Sequence, residues 1–143
     1  MKVNTKIRYG LRTMIEIASQ SDNTGILQKD ISKNQNISEK YLDHIISALK
    51  TNGLIVNVSG KKSGYILKKP QNKISIYDIY KSFEPELSIV HCVSNPELCE
   101  KSGCCSVREF WNDLNDINIK FLKKHSLESL VKKNKKSISS LKK

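Results

Sequence analysis

Residues 37–55, ISEKYLDHIISALKTNGLI, carry the clearest structural pattern in the chain. Ser38 can cap a helix, and the apolar residues after it recur at intervals of three and four, which predicts a helix with one buried side. The positions on that side are Tyr41, Leu42, Ile45, Ile46 and Leu49. Asn52 and Gly53 then end the helix, because these residues suit its C-terminal cap.

Two further helices are predicted ahead of this one. Residues 2–20 form an amphipathic helix, and residues 21–25 form a loop. Residues 27–34 form a short helix, which a tight connection over residues 34–37 joins to the central one.

The hydrophobic period changes after Gly53. Residues 54–58 and 65–68 are short β-rich runs on either side of SGKKSG at residues 59–64, which predicts a hairpin with a basic tip. Two helices joined by a tight turn and followed by a hairpin predict a winged helix-turn-helix. The predicted fold is therefore mainly α with one small β-hairpin.

The second half of the chain is predicted to be helical around an irregular stretch that holds the cysteines. Helices are expected over residues 74–83, 106–124 and 126–131. The long one has apolar positions close to a heptad spacing, which favours a dimerisation helix over an intramolecular core. These positions are Val107, Phe110, Trp111, Leu114, Ile117 and Phe121.

The expected organisation has four parts. They are a DNA-binding domain at 1–70, a connecting helix and cysteine loop at 71–105, the dimerisation helix and a short helix at 106–131, and a disordered basic tail at 132–143.

The charge is unevenly distributed over the 143 residues. Lys and Arg number 25 against 14 Asp and Glu, a net charge of +11. Residues 1–70 carry 12 basic and 5 acidic side chains, which favours double-stranded DNA as the partner over a merely solvated basic surface. No apolar run approaches the ~18 residues of a membrane span, and no signal peptide or catalytic motif is found. We expect a cytoplasmic protein that is not an enzyme.

The predicted DNA contacts lie on the exposed face of the central helix and on the hairpin tip. Lys40 can donate to guanine or to a phosphate, and Asp43 can accept from cytosine N4. Lysines at the tip can reach the backbone or the minor groove. The candidate residues are Ser38, Lys40, Tyr41, Asp43 and His44 on the helix, with Ser59, Lys61 and Lys62 on the hairpin. The alternative for each helical residue is an exposed position without a ligand.

Four cysteines fall within 14 residues, with the spacing C-x6-C-x4-C-C: Cys92, Cys99, Cys104 and Cys105. A disulfide scaffold would scatter its cysteines through a secreted chain. A cluster in a reducing compartment indicates a metal site or a redox sensor instead. The spacing matches neither a zinc ribbon nor a ferredoxin.

Several segments together resemble the bacterial winged-helix regulators of the IscR/NsrR/CymR type. They are KIRYGLRTMIEIA at 6–18, residues 37–55 quoted above, VSGKKSGYIL at 58–67, ISIYDIYKSFE at 74–84, and VREFW at 107–111 after the cysteines. The resemblance covers residues 1–131. It implies a homodimeric transcription factor, usually a repressor, that binds a pseudo-palindromic operator.

The resemblance also implies an iron–sulfur cluster, [2Fe–2S] or [4Fe–4S], held by three cysteines. Cys92 and Cys99 match the first two of these, and counting back six residues from Trp111 matches the third to Cys105, with Cys104 as an alternative or fourth ligand. Redox change, nitric oxide or cluster supply would then alter operator affinity. The rivals are a cluster-free regulator controlled by a partner protein or by cysteine oxidation, a structural zinc site, and an electron carrier without a DNA role.

Three positions depart from the family pattern. Arg108 stands where IscR-type members have a histidine ligand, and Arg8 stands where NsrR-type members have an aspartate ligand. The fourth-ligand candidates are Cys104, Glu84, Glu86, His91 and a small exogenous ligand. The hairpin tip carries lysine where the family has a leading arginine, and lysine cannot make bidentate arginine contacts.

Overall fold

The structure is a computed structural model, and it describes residues 3–20, 24–59 and 64–142. In this part of the chain, three helices are followed by a β-hairpin and then by four more helices, with short 3₁₀ turns at Gln71–Lys73 and Pro96–Leu98. The bounds are α1 Thr5–Ala18, α2 Gln28–Gln35, α3 Glu39–Thr51, β1 Ile55–Asn57, β2 Tyr65–Leu67, α4 Ile76–Lys81, α5 His91–Ser94, α6 Ser106–Lys124 and α7 Leu127–Leu141.

The turn between α2 and α3 has the geometry that its residues favour. Asn36 closes α2 in the left-handed conformation, with φ at 51°. Two residues later, the Ser38 side chain accepts a hydrogen bond from the Tyr41 amide and caps α3. Buried side chains from α1, α2 and α3 meet in one core: Met14, Ile17, Ile31, Leu42, Ile45, Ile46 and Leu49. The helix-turn-helix predicted from residues 37–55 is confirmed.

The hairpin strands pair antiparallel, with Ile55 opposite Leu67. Ile26 adds a single antiparallel bridge to Tyr65, so that the segment before α2 continues the small sheet. The approach is close, because a Cβ on Gly64 would lie 2.7 Å from the carbonyl carbon of Gly25. The winged-helix fold, mainly α with one hairpin, is therefore confirmed, while tip residues 60–63 lie outside the described ranges, as do residues 21–23 of the predicted loop.

The second half of the chain is attached to the first by α4 and α7. Ser75 and Asp78 form a capping box at the start of α4. A β-bridge joins Ser75 to Ser126, with hydrogen bonds from the Ile76 amide to His125 O at 2.9 Å and from the Leu127 amide to Ile74 O at 2.8 Å. We call this bridge the α6–α7 junction. It fixes the end of α6 to the start of α4.

Gly10 allows α1 to pack closely against the segment that follows α4. The ring of Phe83 lies over this glycine, and a Cβ there would be 2.2 Å from Phe83 Cε2. Glycine is therefore needed in the middle of α1, although it is a poor helix former.

The structure corrects three of the sequence-based predictions. The basic segment at 132–143 was predicted to be disordered, but α7 continues through it to Leu141. No glycine or proline follows Leu127, so nothing in the sequence stops the helix. The predicted helix at 74–83 is shorter, Ile76–Lys81, and the cysteine stretch contains α5 and a 3₁₀ turn. The predicted bounds of α6 are confirmed.

Within residues 3–20, 24–59 and 64–142, no helix has the combined length and hydrophobicity of a membrane-spanning segment.

Candidate nucleic-acid interface and cysteine loop

The predicted recognition face lies at the start of α3. Lys40, Asp43 and His44 are exposed there, and Tyr41 is half-buried. Ser38, Lys40, Tyr41 and His44 line a shallow depression of about 180 Å³. Ser38 is exposed as well, although its hydroxyl oxygen already accepts from the Tyr41 amide at 3.2 Å. Four of the five predicted helical residues therefore share one depression, and Asp43 is exposed immediately before His44.

Side chains of α1 support this surface from behind. The Tyr9 ring meets the Tyr41 ring edge-on, with centroids 5.6 Å apart. The Arg12 guanidinium lies 5.4 Å from the Tyr9 centroid and donates to the side-chain and main-chain oxygens of Gln35. Glu16 accepts from Gln35 Nε2 at 2.7 Å. Sequence reasoning missed this network, because its members lie on helices that are distant in the chain.

A second link passes through Gln28, in the first turn of α2. Its Nε2 donates to Asp43 Oδ1 at 2.5 Å and to Glu39 O at 3.3 Å. The hydroxyl of Tyr65, in β2, donates to Gln28 Oε1 at 3.3 Å. One amide therefore connects α2, α3 and the hairpin. Sequence reasoning missed Gln28. The only feature that could have indicated its role is a polar side chain in the first turn of α2.

On the hairpin, the described residues reach only the base of the tip. The Val58 amide donates to Gly64 O at 2.9 Å, and Ser59 is exposed. The predicted contacts Lys61 and Lys62 lie outside the described residues.

The four predicted cysteines lie on one loop between α4 and α6, and all are free thiols. Cys92 is in α5, and Cys105 precedes the first residue of α6. Cys104 is exposed and the other three are half-buried. Thiol donors suit iron by their chemistry. Yet within the ranges that the structure describes, no three His, Cys, Asp or Glu side chains form a group that could hold a metal ion.

Arg108 holds this loop to α6. Its Nε donates to Cys92 O at 2.8 Å, and its Nη1 donates to Ser102 O at 3.4 Å. A guanidinium has donors only, so Arg108 cannot replace a histidine as a metal ligand. Next to it is an open cavity of about 430 Å³, which Cys104 and Cys105 also line.

The other candidate ligands lie in different surroundings. Glu84 accepts from Asn4 Nδ2 at 2.6 Å, so its carboxylate is used at the start of α1. Glu86 and His91 are exposed. Arg8 is also exposed, and it donates to Thr5 Oγ1 within α1 at 3.4 Å.

The predicted dimer face of α6 is mostly uncovered. Val107 is 58% exposed, and Phe110, Ile117 and Phe121 are each 60% exposed. Trp111 and Leu114 are half-buried. A row of large exposed apolar side chains along one helix is typical of a surface that binds another protein. Asn115, one turn after Trp111, is buried and accepts from the Ile89 amide at 3.2 Å, which adds a second tie between α6 and the cysteine loop.

Comparison with known proteins places these features in a family. Residues 3–133 match the model of the Rrf2 family, which is described as an iron-dependent transcriptional regulator. The chain is 31% identical to the HTH-type transcriptional regulator IscR of Pectobacterium atrosepticum over 131 residues, 92% of this chain and 79% of that protein. It is 32% identical to IscR of Photorhabdus laumondii over the same shares of both chains.

Solved structures agree with the sequence relatives. CymR, the global cysteine regulator of B. subtilis, matches with a TM-score of 0.77 and 31% identity, over 92% of this chain and 97% of that one. IscR of T. potens matches with a TM-score of 0.76 and 25% identity, over 96% and 90%. These proteins are transcriptional regulators and not enzymes, as the sequence predicts for this chain. The chain therefore belongs to the Rrf2 family of transcriptional regulators.

Proposed function

We propose that this chain is a homodimeric repressor that binds a pseudo-palindromic operator and responds to chemistry at its cysteine loop. The observation that carries the proposal is the joining of three parts in one short chain. An exposed polar face at the start of α3, a loop with four free thiols and an uncovered apolar face on α6 follow one another along the chain. We expect the protein to act in the cytoplasm, where its DNA lies.

In this proposal, α3 enters the major groove with its first two turns. Lys40 donates to guanine or phosphate, and Asp43 accepts from a base amino group. Ser38, Tyr41 and His44 complete the helical contacts, while Ser59, Lys61 and Lys62 contact the backbone or the minor groove. The Tyr9–Tyr41 contact supports this surface by packing α1 against α3.

The dimer forms through α6. A two-fold axis beside this helix brings the apolar face of one chain against the same face of the other, which removes large side chains from water. The two copies of α3 then meet two half-sites, as a pseudo-palindromic operator requires. The face consists of Val107, Phe110, Trp111, Leu114, Ile117 and Phe121.

Cys92, Cys99 and Cys105 are the proposed ligands of an iron–sulfur cluster, with Cys104 as an alternative or fourth ligand. The cluster, [2Fe–2S] or [4Fe–4S], supplies iron that reacts with oxidants and nitric oxide. The thiols are not grouped as three ligands in the described structure, so the loop has to rearrange to hold the cluster. Since Arg108 and Asn115 bind the loop backbone, such a rearrangement acts on α6 and hence on operator affinity.

A cluster-free thiol regulator is the second candidate. It is favoured by the separation of the thiols and by Arg108, a residue without ligand capacity, at the loop. CymR of Staphylococcus aureus, one of the similar structures, was solved in an oxidised form with a TM-score of 0.73 and 31% identity over 92% of this chain and 96% of that one. In this case cysteine oxidation or a partner protein controls operator affinity. A structural zinc ion in the same loop is the remaining alternative.

The first experiment is an anaerobic absorption spectrum with counts of iron, sulfide and zinc, followed by operator titration. Visible absorbance with stoichiometric iron and sulfide supports the cluster. Operator affinity must then differ between the anaerobic holo-protein, the apo-protein and the nitric-oxide-treated protein. A colourless protein that takes up neither iron nor sulfide on reconstitution overturns the cluster, and bound zinc would favour the structural site.

A further inference from the structure

The Gln28 amide is held in one orientation by three contacts. Its Nε2 faces Asp43 Oδ1 and Glu39 O, which are acceptors only, so the donor end must point to α3. Its Oε1 then faces the Tyr65 hydroxyl, which can donate. Gln28 is half-buried, and its contacts with α3 and β2 leave the amide little freedom to rotate.

Asp43 gains a fixed orientation from this contact. It is exposed, at the position on α3 from which a side chain reaches base edges. Oδ1 is taken by Gln28, whereas Oδ2 has no hydrogen-bond partner among the residues that the structure describes. A free aspartate would sample several rotamers, and ordering it on DNA would cost conformational entropy. Gln28 removes that cost before DNA arrives.

From this geometry we propose that Gln28 is a positioning residue that determines operator specificity by presenting Asp43 Oδ2 to the bases. The inference rests on the proposed function, because it requires α3 to lie in the major groove. A carboxylate accepts from the amino groups of cytosine and adenine, and it is repelled by the keto oxygens of guanine and thymine. A held carboxylate therefore rejects the wrong base more strongly than a mobile one, which can turn away.

Tyr65 extends this link to the hairpin. Its hydroxyl lies on β2, whose strand leads to the basic tip, and it contacts the same amide that holds Asp43. The base-reading side chain and the hairpin are therefore held in one relative arrangement.

The test begins with selection of an operator from a random duplex library by the wild-type dimer. Dissociation constants are then measured for the operator with each of the four base pairs at every position. The variants are Gln28→Ala, Asp43→Ala, the double variant and Tyr65→Phe. Asn72→Ala is the matched control, because it removes an exposed amide from the 3₁₀ turn after β2.

We expect Asp43→Ala to lose about fivefold or more of the discrimination at one base pair of each half-site. Gln28→Ala loses discrimination at the same base pair, and the double variant is no worse than Asp43→Ala alone. Tyr65→Phe gives a smaller loss there, while the control changes nothing. Affinity for unrelated duplex changes less than twofold in all variants.

Two results overturn the proposal while leaving DNA binding in place. In one, Asp43→Ala alters no base preference. In the other, Gln28→Ala and Tyr65→Phe do not lose the base preference that Asp43→Ala loses: either they keep it with unchanged affinity, or they lower the affinity for every duplex by the same factor. If the wild-type protein selects no DNA sequence at all, the proposed function is wrong, because it requires specific DNA binding. The role of Gln28 is then refuted as well.

Discussion

The guanidinium of Arg108 and the carbonyl oxygen of Cys92 are joined by a hydrogen bond of 2.8 Å from Nε. The same guanidinium reaches Ser102 O, so one side chain of α6 holds two separate points of the cysteine loop. Hydrogen bonds from charged groups contribute about 1.5–3 kcal/mol each. Arg108 therefore sets how easily the loop opens.

Replacing Arg108 with alanine exposes the half-buried thiol of Cys92. We expect its alkylation rate to rise several-fold, because local opening of the loop becomes easier. The measurement is site-resolved alkylation by mass spectrometry under reducing conditions, with the exposed Cys104 as the internal reference. Arg108→Lys keeps the charge without the planar donors, so its rate should be intermediate. Equal alkylation rates in all three proteins would show that Arg108 does not hold the cysteine loop closed.

Glutamate at Phe110 or Phe121 should break the proposed dimer. Burying one phenylalanine contributes about 1.5–3 kcal/mol, and two-fold symmetry counts it twice, so the dissociation constant rises by about 100-fold or more. Sedimentation velocity should show monomers with an unchanged circular dichroism spectrum, since both side chains are 60% exposed in one chain. Leu141→Glu, at an 87% exposed position of α7, is the control. A variant that remains dimeric argues for a different interface.

Lys40 is expected to contact a phosphate or guanine. Its replacement by alanine should weaken binding and, if the contact is a phosphate, reduce the slope of log K against log salt by about 0.9 per contact. The measurement is a titration of operator DNA at several salt concentrations. Lys81→Ala, on α4, removes an equal charge away from α3 and should leave the slope unchanged. If both variants have the same operator affinity and the same slope, Lys40 does not contact the DNA.

Alanine at Gly10 tests the packing of Phe83. In an open helix this change stabilises by about 1 kcal/mol, whereas overpacking costs about 1–3 kcal/mol. We expect net destabilisation, because the new Cβ would lie 2.2 Å from the ring. Urea unfolding at one fixed protein concentration measures it, and in a Phe83→Leu background the loss should shrink. Stabilisation by Gly10→Ala alone would show that the ring moves aside freely.

The elements that local sequence determines were the predictable ones. Ser38, the apolar spacing after it and Gly53 define α3, and the near-heptad spacing defines α6, so both helices were predicted. The prediction of disorder at 132–143 was wrong because a lysine-rich composition does not exclude a helix, and lysine is a good helix former. The Lys132–Glu128 pair at 3.2 Å lies at the i,i+4 spacing that supports an exposed helix.

The site was predictable only in part. The residues of α3 and the cysteines were found because their residue types and spacing carry a chemical signal. Gln28 and Arg108 were not, because their partners are set by the tertiary fold: Tyr65 is 37 residues from Gln28, and Cys92 is 16 residues from Arg108. The sequence showed Arg108 only as a departure from the family's histidine ligand, and it did not predict the contacts that Arg108 makes.

The α6–α7 junction allows a small rotation of α6 to produce a larger displacement at its far end. With Ser126 fixed to Ser75, α6 is a lever whose fulcrum, at its C-terminal end, lies beside the DNA-binding domain, and whose N-terminal end lies at the cysteine loop, where Arg108 contacts it. A helix of 19 residues is about 28 Å long. A tilt of about 5° at the fulcrum therefore displaces the far end by about 2.5 Å, so a small adjustment at one end corresponds to a larger stroke at the other. In the proposed dimer, two such helices would convert a change in the cysteine loop into a change in the spacing of the two α3 helices.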